Sequence, residues 1–250
     1  MTNNKKSIRV EIDTYRDGEK TIIEYVFEKR ELGERPMALD VLLQAQAKKI
    51  PDLAFRFGCR ARNCGVCTID INGRPRIACR TRVREGDRLS PIATLPILSD
   101  LVVRRDGIAR QLRNRLPTNS QANELNVEAP EEYHQLTKCI ECYACLDNCP
   151  MHARNFTRGK PTDTTKPPSD TQQGYRWGNP FTLLKLQRVR MDPLTTTTVR
   201  ESAVDTAIML GLESCIKCPG CKCGVGINLK GVVIKPLLEA ANNSGRIPPE

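Results

Sequence analysis

Cys59-Arg-Ala-Arg-Asn-Cys64-Gly-Val-Cys67, followed after eleven intervening residues by Cys79, decides how the N-terminal half folds. Gaps of four and two residues and then a distant fourth cysteine are the plant-type 2Fe–2S arrangement. Three ligands on one tight loop require backbone amides aimed at sulfur, and Gly58 and Gly65 permit that close approach. The fourth, Cys79, comes from a returning strand that clamps the loop against a sheet. Arg56, Arg60 and Arg62 set positive charge nearby, which favours a reduced, more negative cluster. The alternative, a structural zinc site, more often uses paired Cys-x2-Cys knuckles.

Outward from this loop the pattern is that of a mixed sheet with one helix. Ile8, Val10 and Ile12 alternate, Asp17-Gly18 turns the chain, and Ile23, Tyr25 and Phe27 alternate again, which predicts a hairpin. Leu39, Leu42, Leu43 and Gln46 then fall at helical spacing, with Pro36 in the first turn and Pro51 as the stop. Ile69 and Ile71 form a strand that Asn72-Gly73 reverses through Ile77 to Cys79. Ile92 to Val103 reads as extended chain leading to a helix, and the domain boundary falls near Asp106, giving domains 1–106 and 107–250.

The second half carries the other eight of the 12 cysteines. Cys139-x2-Cys142-x2-Cys145-x3-Cys149-Pro150 is a complete bacterial-ferredoxin run, whose fourth cysteine characteristically serves the other cluster of a pair. Cys215-x2-Cys218-x2-Cys221-x1-Cys223 begins the same way and ends early. Crossed ligation assigns Cys139, Cys142, Cys145 and Cys223 to one 4Fe–4S cluster and Cys149, Cys215, Cys218 and Cys221 to the third. Twelve ligands then fill three four-ligand sites, which predicts 4Fe–4S rather than 3Fe–4S at the last. Leu183, Leu186 and Val189 mark one helix around these runs, and Val204, Ala207 and Ile208 another. Thr157 to Gly178 is polar and broken by Pro161, Pro167 and Pro168, so it is read as an inserted surface or partner-contact loop, and the tail 242–250 as loosely held.

Composition narrows the function. The formal charge of +10 invites nucleic acid, but three clusters with their thiolates would contribute roughly −6. Aromatic residues make up 4%, thin for a base-stacking platform. A zinc-stabilised nucleic-acid-binding protein is therefore the weak alternative, and no nucleic-acid partner is expected. No apolar run approaches the roughly 20 residues of a membrane span, and the polar start lacks a secretory signal. A reducing compartment is expected, where grouped cysteines hold metal rather than disulfides.

Leu53-Ala-Phe-Arg-Phe-Gly-Cys-Arg60, Cys64-Gly-Val-Cys67, Ile71-Asn-Gly73, Ala78-Cys79, Leu95 to Val103, the Cys139 to Pro150 run and Arg190 to Asp192 with the last cysteines together resemble the iron–sulfur subunit of succinate dehydrogenases and fumarate reductases, the respiratory complex II family. The resemblance implies an α+β chain: an N-terminal β-grasp plant-type ferredoxin domain and a C-terminal α-helical ferredoxin domain. It implies a flavoprotein partner carrying FAD, one or more membrane-anchor subunits, quinone as acceptor, and a peripheral place on the cytoplasmic side of the inner membrane. Electrons would pass from the 2Fe–2S site to the Cys139 group and then to the Cys215 group, with no catalytic acid or base in this chain.

Three features depart from that pattern. The distal run has four cysteines where most members keep three ligands. The family's quinone pocket usually has a tryptophan soon after the cysteine matching Cys149, where Met151, His152, Ala153 and Arg154 stand here. The third is the insertion, with Trp177 near its end, a residue that could swing toward the last cluster or anchor at the surface. These departures keep open a relay to a thiol or soluble acceptor. Of the two histidines, His134 reads as solvent-exposed and His152 as a candidate to tune a cluster or contact quinone.

Overall fold

The computed structural model describes residues 6–116, 127–156 and 174–245. The chain divides into two compact units, Met1–Arg104 with Ile140–Ala144, and Arg105–Cys139 with the chain from Cys145 onward.

The first unit is built on a mixed five-stranded sheet. β1 (Ser7–Arg16) and β2 (Glu19–Glu28) form the expected hairpin, with Ile8 opposite Phe27, Val10 opposite Tyr25 and Ile12 opposite Ile23. That register puts Ile8, Val10, Ile12, Tyr25 and Phe27 in the core, because alternate side chains share a face. α1 (Ala38–Lys48) buries Leu39, Val41, Leu42 and Ala45. It starts one step later than the sequence suggests. Met37 is its N-cap and Asp40 accepts from the Met37 amide at 3.1 Å, so Pro36 lies outside the helix. β3 (Thr68–Ile71) and β4 (Arg74–Ile77) pair across Asn72-Gly73, both at positive φ as the tight turn requires. β5 (Arg88–Ser90) lies parallel to β1 and antiparallel to β3, giving the order β2-β1-β5-β3-β4. The 92–103 stretch, read as extended chain, carries a small ladder of β6 (Ile97–Ser99) and β7 (Val102–Val103).

Asp100 ties the sheet to the chain entering the cysteine loop. Its buried carboxylate accepts from the amides of Ala54 at 2.8 Å and Tyr15 at 3.2 Å, and it pairs with Arg16 at 3.4 Å.

The second unit is helical: α2 (Asp106–Ala109), α3 (Glu131–Thr137), α4 (Pro150–Ala153), α5 (Pro180–Met191), α6 (Thr197–Met209) and α7 (Lys235–Asn243), the last continuing a π-turn at Lys230–Ile234. α5 is its centre. Asn179 caps it by accepting from the Thr182 amide at 3.0 Å, Pro180 opens its first turn, and Leu183, Leu184 and Leu186 are fully buried. Each such leucine contributes about 1.5–3 kcal/mol of transfer free energy. α7 lies outside the helices expected from sequence. It includes Asn242 and Asn243, read there as loose tail, because Leu237 and Ala241 dock its apolar face in the core.

Candidate functional site: three groups of cysteines

The first group sits where β3, β4 and an exposed loop meet. Cys59 is exposed, Cys64 half-buried, and Cys67 and Cys79 are buried at the two ends of the hairpin. Cys59 and Cys64 are hydrogen-bonded side chain to side chain, as are Cys67 and Cys79, and Cys67 also feels Cys64. The loop turns its amides inward through left-handed backbone at Arg60 (φ 52°), Arg62 (φ 65°) and Gly65 (φ 63°). The amides of Ala61 and Asn63 both donate to Cys59 Sγ at 3.3 Å. These two bonds lower the Cys59 thiol to about 7. Burial, with the neighbouring Cys79, pushes Cys67 up to about 11. A Cβ on Gly58 would stand 3.4 Å from Cys64 Sγ, so the glycine leaves room at sulfur. Phe57 stacks on Phe55 and lies under Arg60 at the exposed side of the loop.

The same backbone device recurs in the Cys139 run, at Glu141 (φ 54°), Tyr143 (φ 59°) and Asn148 (φ 55°). A left-handed non-glycine residue costs roughly 1–2 kcal/mol. Successive amides turned to one side form concavities suited to anions such as thiolates and cluster sulfur. Cys142 is buried. Cys139, Cys145 and Cys223 line the margin of the second unit's core, and the Val225 amide donates to Cys223 Sγ at 3.4 Å.

The structure brings Cys149 to Cys215, Cys218 and Cys221. Burial and then the charges of Cys149, Cys221 and Cys218 push Cys215 up to about 12. Burial and the charges of Cys149 and Cys218 push Cys221 up to about 12 as well. Cys149 is raised by burial above all, opposed by the amides of His152 and Met151, and its Sγ accepts from the His152 amide at 3.5 Å.

These donor sets suit iron–sulfur clusters. Buried thiols at about 11–12 stay protonated at neutral pH unless a cationic centre stabilises their thiolates. Inward amides supply the hydrogen bonds to sulfur that such centres need.

His152, the candidate to tune a cluster or contact quinone, donates its amide to Cys149 Sγ. Its side chain is 1% exposed and packs edge-on against Phe156 and Tyr175, with ring centroids 5.3 and 5.4 Å away. His134 is exposed as expected. Of the proline-rich segment, 157–173 lies outside the described residues, but its end is not a surface loop. Gly174 and Tyr175 are buried, and Trp177 is half-buried with its ring centre 3.3 Å from the Arg154 guanidinium. Arg154 also reaches Glu213 Oε1 at 3.1 Å and Ser214 Oγ at 3.3 Å, beside Cys215.

What sequence reading missed is the polar network that fixes this corner. Gln111, fully buried, donates to the carbonyls of Trp177 at 2.5 Å and Tyr175 at 3.2 Å. Its Oε1 accepts from Asn179 at 2.9 Å and Thr182 at 2.6 Å. Only Asn179 before Pro180 carried a signal, as a helix cap.

Residues 8–110, the part that carries the first cysteine group, match the family described as 2Fe-2S iron-sulfur cluster binding domain. A subunit of the fumarate reductase (CoM/CoB) of Methanothermobacter marburgensis is 27% identical over 221 residues, covering 86% of this chain and 40% of its own length. The fumarate reductase iron-sulfur subunit of Escherichia coli O157:H7 is 29% identical over 161 residues, covering 60% of this chain and 66% of its own. A chain of the Mycobacterium smegmatis Sdh1 complex in the apo form shares the fold with a TM-score of 0.76 at 24% identity, over 99% of both chains. The chain is thus similar in sequence to fumarate reductase subunits and similar in fold to a chain of the Sdh1 complex. It spans 40% of the length of the methanogen relative and 28% of an iron-sulfur protein of Methanocaldococcus jannaschii, so activity and partners are argued separately.

Proposed function

We propose that this chain is the electron-transfer subunit of a succinate dehydrogenase or fumarate reductase complex, passing electrons between a FAD-bearing flavoprotein and quinone. The observation that carries the proposal is twelve cysteines gathered at inward-amide loops and a corner of two buried and two half-buried thiols. The reading includes domains 1–106 (β-grasp plant-type ferredoxin) and 107–250 (α-helical ferredoxin). Bound clusters would supply one-electron chemistry. Cys59, Cys64, Cys67 and Cys79 would hold 2Fe–2S; Cys139, Cys142, Cys145 and Cys223 would hold 4Fe–4S; Cys149, Cys215, Cys218 and Cys221 would hold a second 4Fe–4S. The protein's own part is to orient the thiolates, donate amides to sulfur and exclude water from Cys67, Cys149 and Cys215. Among the described residues no helix is long and apolar enough to cross a membrane, so peripheral attachment through anchor subunits on the cytoplasmic side is part of the proposal.

The test is anaerobic purification with co-purifying chains. A brown protein whose visible absorbance dithionite bleaches, and which transfers electrons between succinate and a quinone when joined to its flavoprotein, meets the proposal. A colourless, iron-free preparation overturns it and returns the zinc reading. A thiol acceptor is the second reading, favoured by the relative named for CoM/CoB. Dithiols, rather than quinols, would then drive fumarate reduction.

A further inference from the structure

The second unit contains a cavity that neither the cysteines nor the aromatic corner uses. It measures about 280 Å³, lies between α5, α6 and α7, and is lined by Arg190, Thr197, Arg200, Glu201 and Asn243 among others. Two of its lining residues are arginines. Among the described residues Arg190 donates only to the neutral Gln187 Oε1, at 3.0 Å. Arg200 donates through Nη2 to the carbonyls of Asp192 at 3.0 Å and Pro193 at 3.5 Å, which braces the α5–α6 connection. The Arg200 Nε is buried with no hydrogen-bond partner among the described residues.

Two arginines and the Glu201 carboxylate share this space. Burial and then repulsion by Arg200 lower the Arg190 pKa, with Glu239 acting the other way. Glu201 lines the wall, yet among the described residues neither arginine forms an ion pair. Two half-buried cations facing one space cost free energy that a bound anion would recover. One carboxylate occupies one guanidinium fork, whereas a tetrahedral dianion presents oxygen pairs to two forks at once. The space exceeds the roughly 30 Å³ that one water occupies in the liquid, leaving room for such an ion and bridging waters.

We propose that this cavity binds a doubly charged phosphate group, as inorganic phosphate or as the headgroup of a phosphomonoester lipid, clasped between Arg190 and Arg200. Thr197 and Asn243 stand at its edge as further donors. The site is independent of the cysteine groups and does not rest on the electron-transfer reading.

The experiment uses the full chain with its clusters, handled without oxygen. Calorimetric titration with inorganic phosphate at constant ionic strength is one arm. Flotation with phosphatidylcholine vesicles, with and without phosphatidic acid, is the other. Saturable binding in either arm is expected, and the responding arm identifies the source. Arg190→Gln and Arg190→Glu should each weaken it about tenfold or more, since each removes one fork. Should Arg190→Gln lose its visible absorbance, Arg190→Lys, which keeps the charge without the fork, is expected to bind more weakly than the parent. The proposal is overturned by absence of phosphate-dependent binding in both arms, equal flotation with pure phosphatidylcholine counting as absence in that arm, or by unchanged affinity in the folded variants.

Discussion

The Arg154 guanidinium lies 3.3 Å from the centre of the Trp177 ring and holds Glu213 and Ser214 from its other side. One arginine thereby joins the segment after Cys149, the residues after the proline-rich stretch and the loop leading into Cys215. Close packing leaves no slack: a Cβ on Gly211 would stand 3.2 Å from both Arg154 Nη1 and the indole.

The chain has one tryptophan, so its emission reports this corner alone. Arg154→Ala is expected to shift Trp177 emission to longer wavelength as water reaches the ring. Stability should fall by about 1 kcal/mol, in the range of a partly exposed cation–π pair with its ion pair. An unchanged spectrum would show that the ring is held by other contacts.

Cys149 stands with the Cys215 group, although it ends the Cys139 run. Cys149→Ser should therefore damage the distal cluster more than the middle one, and the parent protein should carry about ten irons per chain. Iron analysis and paramagnetic resonance of the oxidised and reduced forms check both statements. About nine irons with an oxidised-state 3Fe signal, or loss of the middle cluster alone, would contradict them.

Gly65 and Gly73 share a positive φ but not a neighbourhood. A Cβ on Gly65 would lie 2.3 Å from the Ile140 carbonyl and 2.9 Å from the Cys142 backbone, whereas nothing lies within 4 Å of one on Gly73. Gly73→Ala should cost about 1 kcal/mol of backbone strain. Gly65→Ala should cost about 3 kcal/mol or more, because backbone has to move. Thermal unfolding of the two variants, side by side, tests the difference.

In iron-depleted protein the thiols should separate by reactivity. At neutral pH, Cys59, lowered to about 7 chiefly by two amides, is about half thiolate and should be alkylated first. Cys67, Cys215 and Cys221, at about 11 to 12, should react last. The sign for stability follows. A folded pKa raised above the ordinary 9.0 favours the folded thiol below pH 9, and that contribution is lost as pH rises toward 11–12. Cys59, depressed, contributes above pH 9 and loses that contribution as pH falls through about 7. Iron-depleted protein should thus unfold more readily between pH 9 and 12. Peptide mapping after brief alkylation and denaturant titration against pH measure the two effects.

Much of the fold is legible where its cause is local. The alternation at Ile8, Val10 and Ile12, the Asn72-Gly73 turn and the 3.6-residue spacing in α1 and α5 each act within a few residues. The start of α1 escapes the pattern because Met37 and Asp40 close the helix end between them, leaving Pro36 outside. β5 escapes it because three residues hold no period, and only pairing with β1 and β3 makes them a strand.

By itself the sequence determined the cysteine runs, their spacing and the elements that carry them, since ligands of one loop must lie within a few residues of one another. Tertiary structure alone decided that Trp177 meets Arg154, that His152 packs against Phe156 and Tyr175, and that Arg190 and Arg200 line one cavity. Those meetings depend on how whole helices pack, and short-range pattern carries no information about which distant side chains a packed core brings together.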